Sequence, residues 1–176
     1  MRARLAVWAA AAALGLAAAP AAACERLADR LEYCGDEFGF HDGSMAMLFP
    51  HSVRIYDLRH GLSYRHAMGA LFVLPGAPAS AEAAEAMVLQ AAADRMSPQT
   101  PEIRDLVRED AELDGAPAFT IRYLLMEPNG LTAYIVTIAP LDDGAVQAMT
   151  FARAAEVSEA LRTRHADFLA QMRILR

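Results

Sequence analysis

Lysine is absent from this 176-residue chain; all 16 strongly basic residues are Arg, against 22 Asp and Glu. In so Ala-rich a sequence this reads as a compositional bias, with Arg chosen for bidentate anion contacts as the alternative. The net charge of −6 argues against non-specific nucleic-acid binding, which needs a basic surface. No Gly-x-Ser-x-Gly, His-Glu-x-x-His or P-loop signature is present, so nothing commits the chain to acyl transfer, zinc hydrolysis or nucleotide chemistry. Beyond the first residues no apolar run is long enough to span a bilayer. Internal repeats and low-complexity segments are missing too. Only two Cys occur, Cys24 and Cys34, and the single Trp is Trp8.

What is present begins with an export signal. Arg2 and Arg4 form a charged start, Leu5 to Leu16 an apolar stretch, and Pro20 with Ala21, Ala22 and Ala23 a small-residue end. This pattern predicts a secretory signal peptide over residues 1–23, cleaved after Ala23, and a single domain over residues 24–176. Removing two of the 16 bases and none of the 22 acids makes the mature charge about −8. The predicted location is the periplasm of a Gram-negative cell.

In an exported chain, Cys24 and Cys34 read as a disulfide worth roughly 2–3 kcal/mol. Glu25 to Tyr33 looks helical, with Leu27 and Leu31 four apart. A straight helix of that length, about 15 Å, would hold the cysteines too far apart to bond. Either the chain doubles back or the cysteines do not pair with each other. A lipoprotein with Cys24 as its lipidated first residue is the rival, disfavoured because the residue at −3, Ala21, is not a large aliphatic one.

The strongest folding signal lies between Arg104 and Phe151. Asp114-Gly115, Asn129-Gly130 and Asp143-Gly144 are hairpin turn signals at near-even spacing, because tight hairpin turns need φ > 0. Between them lie Ala118–Leu125, Leu131–Ile138 and Val146–Phe151. They predict a four-stranded antiparallel meander. Phe119, Ile121, Tyr123 and Leu125 share one face, and Leu131–Ile138, apolar on both faces, belongs at the centre.

Upstream, residues 35–43 read as a turn-rich entry, and Ser44–Phe49 as a short strand stopped by Pro50. Ser52–Leu58 and Leu62–Met68 read as arms of a hairpin around Arg59, His60 and Gly61, with an extension into Leu71–Leu74. Ser80 caps a helix to about Arg95 whose stripe is Ala84, Met87, Val88, Ala91 and Ala92. A final helix is predicted from about Ala155 to Arg173, with Val157, Leu161, Phe168, Leu169 and Met172 inward and His165 near that stripe. The fold class is therefore α+β, an antiparallel β-sheet with helices packed on its faces.

Leu113-Asp-Gly-Ala-Pro-Ala-Phe119, Ala133-Tyr-Ile-Val-Thr-Ile138 and the closing Phe168-Leu-Ala-Gln-Met-Arg-Ile-Leu175 follow a hairpin, helix, strands, helix order. Over about residues 35–176 this resembles the PsbP-like domains and their DcrB-like bacterial relatives. The resemblance implies an α/β/α sandwich and a non-enzymatic accessory, assembly or binding role. It carries over no functional residue.

Three chemistries have candidate residues. His41, His51, His60 and His66, with Met45, Met47, Asp42 and Asp57 nearby, could suit copper or zinc. No two of these histidines have the i, i+2 or i, i+4 spacing that would put them on one face, so solvated loop histidines are the plainer explanation and no metal ligand is assigned. Arg54, Arg59 and Arg65 make residues 51–66 locally basic, able to hold an anion or acidic partner. They serve equally as charges that deter aggregation of an edge hairpin. Ser63 with His66, Glu109 with Asp110, and Asp142 with Asp143 lack any sign of an activated group, so no catalytic residue or cofactor is expected. The sequence thus predicts a non-enzymatic exported accessory or binding protein whose partner is another protein or a hydrophobic or anionic small ligand. The alternative is a periplasmic metal-handling protein using the His/Met-rich region 41–66.

Overall fold

The computed structural model describes residues 24–35, 38–40, 52–58 and 67–175. The long antiparallel ladder is the frame. Strands β6 (Glu102–Leu113), β7 (Ala116–Glu127), β8 (Gly130–Leu141) and β9 (Gly144–Arg153) form the expected meander. It continues through β5 (Ala67–Leu74), β4 (Ser52–Asp57) and β3 (Phe38–Phe40), all neighbours antiparallel, in the spatial order β3-β4-β5-β9-β8-β7-β6. A three-residue strand, Phe38–Phe40, lies within the stretch expected to be turn-rich. Residues 41–50 and 59–66, which hold the expected strand Ser44–Phe49 and most of the hairpin's second arm, lie outside the described residues.

The register shows what each Gly does in the turns. Leu113 faces Ala116, Glu127 faces Gly130 and Leu141 faces Gly144, so each loop has two residues. Asp114 and Gly115 both have positive φ, 49° and 71°, as a tight hairpin requires. The other loops are Pro128-Asn129 and Asp142-Asp143, and there the Gly opens the next strand instead. At Gly144 the reason is close approach: a Cβ would sit 2.3 Å from the Leu74 carbonyl oxygen.

Alternation sorts the sheet's side chains onto two faces. Ile121, Tyr123, Leu125, Tyr134, Val136 and Ile138 pack under helix α1 (Ala81–Met96). Its N-cap is Ser80, whose Oγ accepts from the Ala83 N–H at 3.3 Å, and its buried stripe is Ala84, Val88 and Ala92. These small side chains let the helix lie close to the aromatic rings below. Arg108 on β6 reaches Glu82 and Glu85 of α1 at 3.1 and 3.2 Å.

The opposite face carries Leu71, Ala118, Leu124, Ile135, Val146 and Ala148. It is covered by helix α2 (Glu159–Ala170) and by a separate three-stranded sheet, β1 (Glu25–Ala28), β2 (Leu31–Tyr33) and β10 (Met172–Ile174), in the order β1-β2-β10. Phe168 of α2 lies over Gly69, where a Cβ would come within 2.8 Å of its ring. Tyr33, Tyr56 and Phe168 bring their ring centres within 4.3–5.7 Å of one another, joining the small sheet, the large sheet and the helix. The chain is an α+β three-layer sandwich, as expected.

Two helix expectations are corrected by the small sheet. Glu25–Tyr33 is a hairpin, not a helix: Leu31 and Tyr33, buried on either side of half-buried Glu32, follow the strand period of two. The C-terminal helix starts at Glu159, not Ala155, because Ser158 caps it by accepting from the Leu161 N–H at 3.3 Å. It stops at Ala170, and Met172 and Ile174, buried on either side of exposed Arg173, pair with β2. Among the described residues no helix is long and apolar enough to cross a membrane.

Candidate functional site

Hairpin β1–β2 places the cysteines opposite each other. Glu25 pairs with Tyr33, so Cys24 and Cys34 are the next facing positions, and their Cα atoms lie 4.1 Å apart across the disulfide. The doubling back of the chain removes the length conflict that a helix would have created. The Cys34 N–H donates to the Gln171 carbonyl at 2.8 Å, tying the staple to the end of α2. On the same side, Arg54 of β4 forms an ion pair with Glu25 of β1. Its guanidinium, one of the three expected to make a basic edge, therefore serves to hold the small sheet to the large one. Arg59, Arg65, Ser63, His41, His51, His60, His66, Met45, Met47 and Asp42 lie outside the described residues. Asp57 is buried at the end of β4.

The remaining histidine is the one the sequence placed only loosely. His165 projects from α2 into the sheet and is 5 % exposed. Its Nε2 lies 2.8 Å from the Thr137 hydroxyl and its Nδ1 2.9 Å from the Thr150 hydroxyl. Thr137 in turn lies 2.7 Å from the Thr120 hydroxyl. The result is a buried chain, Thr120–Thr137–His165–Thr150, spanning three adjacent strands and a helix. Removal from water disfavours the imidazolium and pushes the His165 pKa down to about 3. The neutral ring has one donor and one acceptor nitrogen, so one of Thr137 and Thr150 accepts from the ring and the other donates to it. Both ring nitrogens are committed to this chain. Chemically the arrangement fixes α2 in register on β8 and β9, and the imidazole is spent on that.

A second polar constellation sits at the C-terminal end of α1. The Glu127 carboxylate accepts from the Tyr134 hydroxyl at 2.6 Å and the Thr132 hydroxyl at 2.8 Å. Arg95 approaches the same carboxylate at 3.8 Å and lies 4.8 Å over the Tyr134 ring. Tyr123, Tyr134 and Phe151 stack across β7, β8 and β9 with centres 5.1 and 5.7 Å apart. Burial raises the Tyr123 phenol to about 12 and pushes Tyr134 further up, so both stay neutral and Tyr134 remains a donor. This cluster clamps the helix end to the β7–β8 hairpin.

Glu109 and Asp110 lie on β6, and Glu109 is engaged by Arg122. Asp142 and Asp143 form the β8–β9 loop, with Asp143 bound to Arg30 at 3.2 Å. Among the described residues no three His, Cys, Asp or Glu side chains gather as a metal site. A surface depression of about 380 Å³ lies before α2, lined by Arg153, Ala154, Ala155, Glu156 and Ser158.

No protein-family model matches the chain, and no curated protein matches it significantly. Solved structures do. The solution structure of cyanobacterial PsbP from Synechocystis aligns with 84 % of this chain and 88 % of its own, at a TM-score of 0.57 and 10 % identity. A Pseudomonas aeruginosa protein of unknown function, PA94, aligns over 84 % of this chain and 93 % of its own, at a TM-score of 0.49 and 12 % identity. The PsbP likeness establishes a PsbP-like fold and extends no further than the fold.

Proposed function

We propose that the chain is a non-catalytic accessory or binding module, exported on a signal peptide over residues 1–23 and working as a single periplasmic domain of residues 24–176. The observation that carries this proposal is the PsbP-like fold, shared with PsbP from Synechocystis across most of both chains. Fold alone does not set activity, so the polar interior matters as well. Among the described residues, His165 and Glu127 spend their hydrogen bonds on holding helices to the sheet, which favours contact with other molecules through the exterior. The disulfide next to the expected cleavage point supports an oxidising compartment. With its sulfur bonded to Cys34, Cys24 has no thiol for a lipid thioether, which favours the soluble form over the lipoprotein.

Crosslinking in intact cells, followed by fractionation and isolation of the tagged chain, tests this. The expected result is a periplasmic chain carried into a discrete higher-mass adduct with one protein. A chain confined to the cytoplasm, or a periplasmic chain that forms no adduct while processing a substrate alone, contradicts it.

A further inference from the structure

Strand β6 ends the large sheet, and among the described residues no strand pairs with its outer side. Two of the exposed large apolar side chains lie at its middle, Leu106 at 38 % and Val107 at 41 % exposure. They are flanked by Arg104 and Asp105 before and by Arg108 and Glu109 after. Along residues 104–109 the pattern is positive, negative, apolar, apolar, positive, negative. Set antiparallel to itself, this segment meets every charge with its opposite: Arg104 with Glu109, and Asp105 with Arg108. An edge guarded by charges of one sign repels a second copy, whereas this one complements it.

The strand geometry decides whether those pairs can meet. Two identical edges pair antiparallel about an axis perpendicular to the sheet, so facing residues must lie on the same face. In a regular strand residues 104 and 109 lie on opposite faces. Here the register shifts between Arg104 and Val107, with Asp105 at φ 50°, so that one extra residue is accommodated opposite Tyr123. Arg104, Val107 and Glu109 then face Leu124, Arg122 and Thr120, all on the α2 side of the sheet. Arg108 faces Ile121 on the α1 side, the side of Tyr123 and the bulge. The bulge thus brings the complementary charges onto matching faces and puts Val107 on the axis.

We propose that β6 pairs antiparallel with β6 of a second copy about a two-fold axis at Val107, joining two seven-stranded sheets into one. Arg104 meets the copy's Glu109 on the α2 face, and the bulge at Asp105 and Leu106 meets the copy's Arg108 on the α1 face. Within one chain these groups already have partners: Arg104 with Glu102, Arg108 with Glu82 and Glu85, Glu109 with Arg122. Arg104 and Arg108 are exposed and can share or exchange their solvent-screened partners at little cost, whereas Arg122 is only 15 % exposed, so Glu109 is shared between Arg122 and the copy's Arg104 and not exchanged. Beyond the centre the match ends, since Ile103 would face Asp110 and Glu102 would face Ala111. Recognition is confined to residues 104–109.

Sedimentation velocity of the full mature chain from micromolar to sub-millimolar concentration tests the proposal. A reversible dimer is expected. Arg104→Glu alone and Glu109→Arg alone each set two like-charged pairs across the axis and should weaken the dimer by about tenfold or more. Mixing the two variants should restore association as a heterodimer, because each then supplies the charge the other lacks. Circular dichroism checks that both fold. Should Glu109→Arg misfold for want of its contact with Arg122, Val107→Lys decides alone by placing two cations at the axis. A monomer at every concentration overturns the proposal. So does a dimer untouched by Arg104→Glu and Val107→Lys, or a mixture of folded charge variants that does not associate.

Discussion

At His165 a single side chain couples helix to sheet, and it does so as a neutral group. Its folded pKa of about 3 lies below its ordinary value of 6.5. Between those values the unfolded chain takes up a proton that the folded chain excludes. Stability from this group is therefore complete above about pH 6.5 and falls by up to about 1.4 kcal/mol per pH unit as the pH drops toward 3. Carboxylates titrate in part of that range, so the informative quantity is the difference between the native chain and His165→Gln. The variant should be less stable at pH 7 by about 1–3 kcal/mol, for its disturbed hydrogen bonds. It should lose less between pH 7 and pH 5 in chemical denaturation. Parallel pH curves would show that the imidazole gains its proton while folded. The sequence placed His165 near the inward stripe of a helix. It did not reveal the three threonines, because Thr120, Thr137 and Thr150 come from three strands whose register only the sheet sets. Glu127 and Arg95 escaped for the same reason: neither is close in sequence to the other.

Among the elements, those governed by local rules were the legible ones. Ser80 capped its helix as the sequence implied, and the meander strands came out where alternation and turn residues put them. Both ends of the described chain were misread as helix. There Leu27 and Leu31, or Phe168, Leu169 and Met172, satisfy a helical period, while Leu31–Tyr33 and Met172–Ile174 satisfy the strand period equally well. The choice is made by long-range pairing of β2 with β10 and by the bond between Cys24 and Cys34. That bond should matter most to the small sheet. The double variant Cys24→Ser/Cys34→Ser is expected to lose roughly 2–3 kcal/mol in equilibrium denaturation. Amide exchange should quicken first in β1, β2 and β10, with β7 to β9 still protected. Unchanged exchange in the small sheet would mean that β10 and Arg54 hold it without the staple.

For the molecule as a whole, class and layering were readable because burial on both faces of β8 demanded cover on both sides. The histidine region 41–66 was visible as composition, and composition alone does not tell whether ligands converge. Export likewise rests on residues 1–23, whose pattern is chemical rather than structural. The proposal that this three-layer fold serves as an exported, non-catalytic module meeting its partners through its exterior is tested most directly by native mass spectrometry of the protein isolated from its own cells. A mass equal to residues 24–176 less two hydrogens, alone or in complex with intact copies or a partner protein, is the expected result. A chain retaining its first 23 residues, a diacylglyceryl increment on Cys24, or a metal-sized increment would contradict it.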